Sequence, residues 1–287
     1  MVKKIFKLMS CIIIFAVVYT IIFIAANVIL PFSQGFRELG ASGDPGGILF
    51  MLLSAAWSCF TILFIIWNAN WSGAKLFLNI LFVMFFVQYF MTQIETFFFG
   101  NAFVALTTLD IFFIMLAGLF PMLATIALMI KFFQNNNAVF EKPKTDIKII
   151  FIRLGVIGVI YLFVYMIFGY FVAWQFKELR VFYSGTPEKL SFFEHMADTI
   201  KTNPIIFPFQ IIRGILFGVF VLPLKNMINN KRLFIMSVCL VYLCTAAQLI
   251  IPNVLFPDAV RIAHLVEMTS SMLLFGLIVG NIMYRKE

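Results

Sequence analysis

The residues best suited to chemistry are ionisable groups set inside apolar runs. His264 and Glu267 are one helical turn apart, and Ser271 lies one turn beyond Glu267. An imidazole beside a carboxylate can serve as a general acid–base pair. With Glu95 as a third ligand, the same groups can hold a divalent metal. Arg213 and Arg261 each offer a guanidinium fork that fits a phosphate or carboxylate. Gln210 precedes Arg213 by about one turn, and Gln88, Thr92 and Glu95 follow one another at i, i+4 and i+7 on one helical face. Asp110 adds a further carboxylate at the start of an apolar run. No HExxH, GxSxG, P-loop or dinucleotide fingerprint occurs, so the metal and the cofactor are both unspecified.

The setting of these groups makes them informative. Of the 287 residues, 63% are hydrophobic and 12% are charged. Soluble domains run at roughly 45–50% apolar and 25% charged. A soluble globule must still cover itself with polar surface, so much of this excess must face lipid. Eight apolar runs approach or exceed the length of about 20 residues that a bilayer requires. They are 8–30, 47–68, 76–99, 109–132, 149–174, 204–224, 233–251 and 260–283. The expected fold is all-α, a polytopic transmembrane bundle of about eight spans, with residues 1–287 forming one integral membrane domain. The sixth run contains Pro208, Arg213 and Pro223, and a re-entrant hairpin is the alternative there. The first run follows Lys3, Lys4 and Lys7, but it continues to Leu30, longer than a signal-peptide core.

Charge placement predicts the orientation. With eight spans and the N-terminus inside, one set of loops carries Lys3, Lys4, Lys7, Lys75, Lys131, Lys142, Lys144, Lys148, Arg153, Lys225, Lys231, Arg232, Arg285 and Lys286. Glu141, Asp146 and Glu287 are its only acidic members. The other set balances Arg37, Lys177, Arg180, Lys189, Lys201 and Arg261 against Glu38, Asp44, Glu178, Glu188, Glu194, Asp198 and Asp258. Excess Lys and Arg marks the cytoplasmic side, which puts both termini there, in a bacterial-type plasma (inner) membrane. The net charge of +8 is thereby assigned to topology, and no nucleic-acid motif accompanies it. Cys11, Cys59, Cys239 and Cys244 all lie in apolar runs, without CxxC spacing, and read as small buried hydrophobes. A cysteine at Gly185 is expected to react with an impermeant maleimide from outside intact cells, and one at Phe140 to be spared. The reverse pattern would invert the topology.

This orientation gathers the ionisable groups in the outer half of the membrane. Spans three, six and eight are expected to build one polar cavity open to the outside. The connection 175–203, with Glu178 and Arg180, is a candidate lid. Within it Ser191 and Glu194 have the spacing of a capping box. Phe192, Phe193, Met196 and Ile200 there share an apolar helical face. Gly214-x-x-x-Gly218 and Gly276-x-x-x-Gly280 allow close helix approach on faces turned away from Arg213 and Glu267.

Three function classes fit these residues. The first is an enzyme or binding protein at the outer leaflet for a lipid-like or anionic substrate. It would use His264, Glu267 and Glu95 for chemistry, and Arg213, Arg261, Gln210, Glu178 and Arg180 for binding. The second is a carrier of an anionic solute or lipid. The third is a structural or sensory protein whose charges only hold the bundle together. Few strongly polar residues, chiefly Asn79 and Asn281, occupy the inner halves of the spans, and no internal repeat is visible. Both points favour the first class over a through pathway.

Overall fold

The computed structural model describes residues 2–41, 47–100, 103, 106–134, 146–252 and 255–284, with side chains from 8 to 38 and onward from 47. The charges of Lys3, Lys4, Lys7, Asp44, Glu141, Lys142, Lys144, Arg285, Lys286 and Glu287, and the position Phe140, lie outside the described side chains. Among the described residues the structure is helical, with no strand. The elements are α1 (Val2–Ile29), α2 (Gln34–Ala41), α3 (Gly47–Asn68) and α4 (Gly73–Phe98). There follow α5 (Thr108–Phe133), α6 (Ile147–Phe171), α7 (Lys177–Ser184) and α8 (Phe192–Thr202). The last three are α9 (Ile206–Met227), α10 (Lys231–Ala247) and α11 (Asp258–Tyr284). Eight of these, all but α2, α7 and α8, are long and apolar enough to cross a membrane. The chain is a multi-pass integral membrane protein.

Local signals set the helix ends. Thr107 accepts a hydrogen bond from the Asp110 backbone N–H, and the Asp110 carboxylate accepts from Thr107 in return, a capping box that starts α5. Asp146 and Asn230 cap α6 and α10 in the same sense. The sixth apolar run forms one continuous helix rather than a hairpin. Pro208 sits in its first turn, where the missing N–H would have had no intrahelical partner, and Pro223 sits near its end.

Glycines decide two of the closest helix contacts. A Cβ on Gly214 would lie 2.5 Å from Tyr161 Cβ and 2.8 Å from Gly158 Cα, so α9 meets α6 backbone to backbone. A Cβ on Gly276 would lie 2.8 Å from Cys239 Cα, which brings α11 equally close to α10. Below these contacts Tyr161, Phe217, Tyr242 and Phe275 pack ring against ring, and Tyr242 donates to the Phe217 carbonyl at 2.9 Å. This cluster is buried. Asn79 and Asn281 each bond back to their own helix, so neither opens a polar path through it.

Candidate functional site

Above the aromatic cluster the eight long helices part around a cavity of about 1390 Å³. Each contributes to its wall: Tyr19 from α1, Ser54 from α3, Glu95 from α4, Ala117 from α5, Tyr165 from α6, Ile206 from α9, Thr245 from α10 and Glu267 from α11. Tyr183 of α7 and His195, Met196 and Asp198 of α8 line it too, so the 175–203 connection forms part of the wall. Ser191 and Glu194 make the capping box that starts α8. These bonds hold the Glu194 carboxyl below its ordinary range. Phe192 stacks on Phe171 of α6. Phe193 and Ile200 point away from the bundle and are exposed, as in a helix lying along a membrane interface. His195 is half-buried against Trp174 and Tyr170, rather than solvated as a loop position suggests. That burial lowers its pKa, partly offset by Asp198.

The first polar group in the cavity is a row of four side chains, two hydrogen-bonded pairs joined by a longer contact. Tyr183 Oη lies 3.0 Å from His264 Nε2. His264 Nδ1 lies 3.9 Å from Glu267 Oε2, a charge contact too long for a hydrogen bond. Ser271 Oγ donates to Glu267 Oε1 at 3.2 Å. Burial raises the Tyr183 pKa, which keeps its hydroxyl protonated. All four residues line the cavity, as the turn-by-turn spacing of His264, Glu267 and Ser271 predicts for one face.

The second group pairs α4 with α9. Arg213 Nη2 donates to Glu95 Oε2 at 2.6 Å and to the Met91 carbonyl at 3.3 Å, and Nη1 donates to Gln210 Oε1 at 2.9 Å. The rings of Tyr161 and Phe209 lie 5.6 and 5.7 Å from the guanidinium carbon. Arg213 is 1% exposed, and neither it nor Gln210 lines the cavity, whereas Glu95 does. Glu95 is thus the cavity face of a buried ion pair.

The remaining candidates have internal partners. Arg261 binds Asp258 one turn away and donates to the Leu249 and Ile250 carbonyls, closing the loop between α10 and α11. Arg180 donates to the carbonyls of Trp174, Gln175 and Pro187, fastening the 175–203 connection to itself. Glu178 is exposed, and none of these three lines the cavity. Asp110 accepts from Ser33 as well as Thr107, and so ties α5 to the end of α1. Among the described residues no set of three His, Cys, Asp or Glu side chains is placed to hold a metal ion. Glu95, His264 and Glu267 therefore share a cavity without forming a ligand set.

Sequence reasoning missed the neutral polar residues of the wall. Tyr19 and Tyr89 join hydroxyls at 2.8 Å, and Thr20 and Gln93 lie beside them in sequence or one turn on. A π-helical turn, Phe86–Phe90, also breaks the regular period of α4. Gln88 therefore bonds to Ser58 of α3, while Thr92 and Glu95 face the cavity. No protein-family model matches the chain, and neither a curated protein nor a solved structure matches it.

Proposed function

We propose that the protein takes a lipid-like molecule into this cavity from the outer leaflet of a bacterial-type plasma membrane, and holds its polar end at the His264–Glu267 pair. The observation that carries this reading is the cavity itself. It is large and walled mainly by apolar and aromatic side chains, with a few convergent polar groups at one place, the usual make-up of a small-molecule site. The buried aromatic cluster beneath it favours capture from one side over passage through the bundle. Arg213 and Arg261 are bonded within the protein, which favours the lipid-like class over a simple anion. His264, with Tyr183 on one nitrogen and Glu267 beside the other, is equipped to exchange a proton with the bound molecule.

The test is native mass spectrometry of protein purified in mild detergent. The wild type is expected to carry a retained lipid-like mass. Gly169 lines the cavity, and a Cβ there meets nothing within 4 Å. Gly169→Trp is therefore expected to push an indole ring into the space and lower retention of that mass while remaining folded. Equal retention by both proteins, or none by either, would defeat the proposal.

A further inference from the structure

Resting on that reading, we infer that the cavity selects a cationic amphiphile, a molecule with an ammonium head and an apolar tail. The charged lining residues are the carboxylates Glu95, Glu188, Asp198 and Glu267, against Arg37 alone among the described cations. Arg37 is occupied, donating to the Leu30 and Phe32 carbonyls at the end of α1. Arg213 answers only Glu95. Glu267 is buried and forms no ion pair with lysine or arginine among the described residues. Its Oε2 has His264 Nδ1 at 3.9 Å and accepts no hydrogen bond among the described residues. A carboxylate inside a membrane bundle ordinarily has a positive partner, and here the described residues supply only the imidazole at 3.9 Å.

An independent observation points the same way. Gln93 is 7% exposed, lines the cavity, and has no donor for its buried Oε1. An enclosed carbonyl oxygen without a donor is costly unless a ligand supplies one. Glu267 Oε2 and Gln93 Oε1 are thus acceptors without a close donor among the described residues, the complement of a group that carries N–H donors and a positive charge. Tyr165 and Trp174 line the same space with aromatic side chains. Ring faces attract ammonium groups, most strongly when water is excluded. A phosphate or carboxylate head would instead meet carboxylates and an acceptor oxygen.

The experiment compares dodecylammonium, dodecan-1-ol and dodecanoate, which share a tail and differ in head. Binding to the full chain in uncharged maltoside micelles is measured by equilibrium dialysis against protein-free micelles. Gly169→Trp protein supplies a comparison with a narrowed cavity. The ammonium is expected to bind about ten-fold or more tightly than the other two. Glu267→Gln is expected to erase that preference, and Gln93→Leu to weaken it. The comparison of heads on wild-type protein stands even if a variant fails to fold. Equal binding of all three, lowered in Gly169→Trp, would overturn the ammonium inference and leave the cavity reading intact. Preference for dodecanoate would overturn it equally. No binding above that of protein-free micelles would end both.

Discussion

Replacing Glu95 with leucine is expected to remove most of the folded protein, and replacing Arg213 with leucine to cost less. The two partners are buried unequally, with side-chain exposures of 26% for Glu95 and 1% for Arg213. Glu95→Leu strands a guanidinium in the bundle, with only the Gln210 oxygen and the Met91 carbonyl as acceptors. Breaking a buried pair in this way costs about 3–5 kcal/mol. Arg213→Leu strands a carboxylate that faces the cavity, where solvent or a proton can relieve it, so the cost is nearer to about 1–3 kcal/mol. The double variant, Glu95→Leu with Arg213→Leu, is expected to recover much of the loss, because an apolar pair of similar volume often replaces a buried ion pair at little cost. Folded yield by gel filtration and thermal unfolding in detergent would show the order. If Arg213→Leu proves the worse, the arginine acts through its packing on Tyr161, Phe209 and Gln210 rather than through its charge.

The sequence makes both members of this pair easy to find and their pairing hard. Arg213 and Glu95 are conspicuous because each is an ionisable group in an apolar run, and burial forces such groups toward one another. Their separation of 118 positions leaves no local pattern that names the partner. The helices themselves were legible because their signals are local. About 20 apolar residues suffice for a span, and Ser191 with Glu194 suffices for a cap. Arg261 shows the opposite difficulty. Asp258 lies one turn before it, and that short-range pairing outweighs any role toward a distant ligand. Arg180 likewise meets carbonyls that only the folded 175–190 backbone brings together. The π turn at Phe86–Phe90 has no signature in residue type, yet it decides that Thr92 and Glu95, and not Gln88, reach the cavity. Thr20 and Gln93 were hidden for a simpler reason. Neutral polar side chains cost far less than charges inside a membrane, so their presence in a span draws no attention until a structure leaves the Thr20 hydroxyl and the Gln93 oxygen without a partner among the described residues.

Alanine at Glu267 or His264 is expected to leave the folded yield near that of the wild type and to abolish retention of the bound molecule. Here the burial argument runs opposite to that for Glu95. Glu267→Ala removes a buried charge that has no lysine or arginine partner among the described residues, so the bundle sheds a desolvation cost. Ser271 keeps an acceptor in the Met268 carbonyl at 3.5 Å. His264→Ala removes the long contact with Glu267 and ring contacts with Tyr183 and Phe256, and the one hydrogen bond it breaks is that of the Tyr183 hydroxyl, at about 0.5–1.5 kcal/mol. Tyr183→Phe keeps the edge contacts of the ring with Phe99 and Phe182 and deletes the bond to His264 alone. It is expected to give an intermediate loss of retention, since the imidazole stays in place but loses the partner that fixes its orientation. Native mass spectrometry would read retention, and gel filtration would read folding on the same samples. A fall in folded yield as large as that of Glu95→Leu would assign His264 and Glu267 to the frame of the bundle. Unchanged folding with lost retention would separate the two polar groups by role: the Arg213–Glu95 pair holds α4 to α9, and the His264–Glu267 pair holds the ligand.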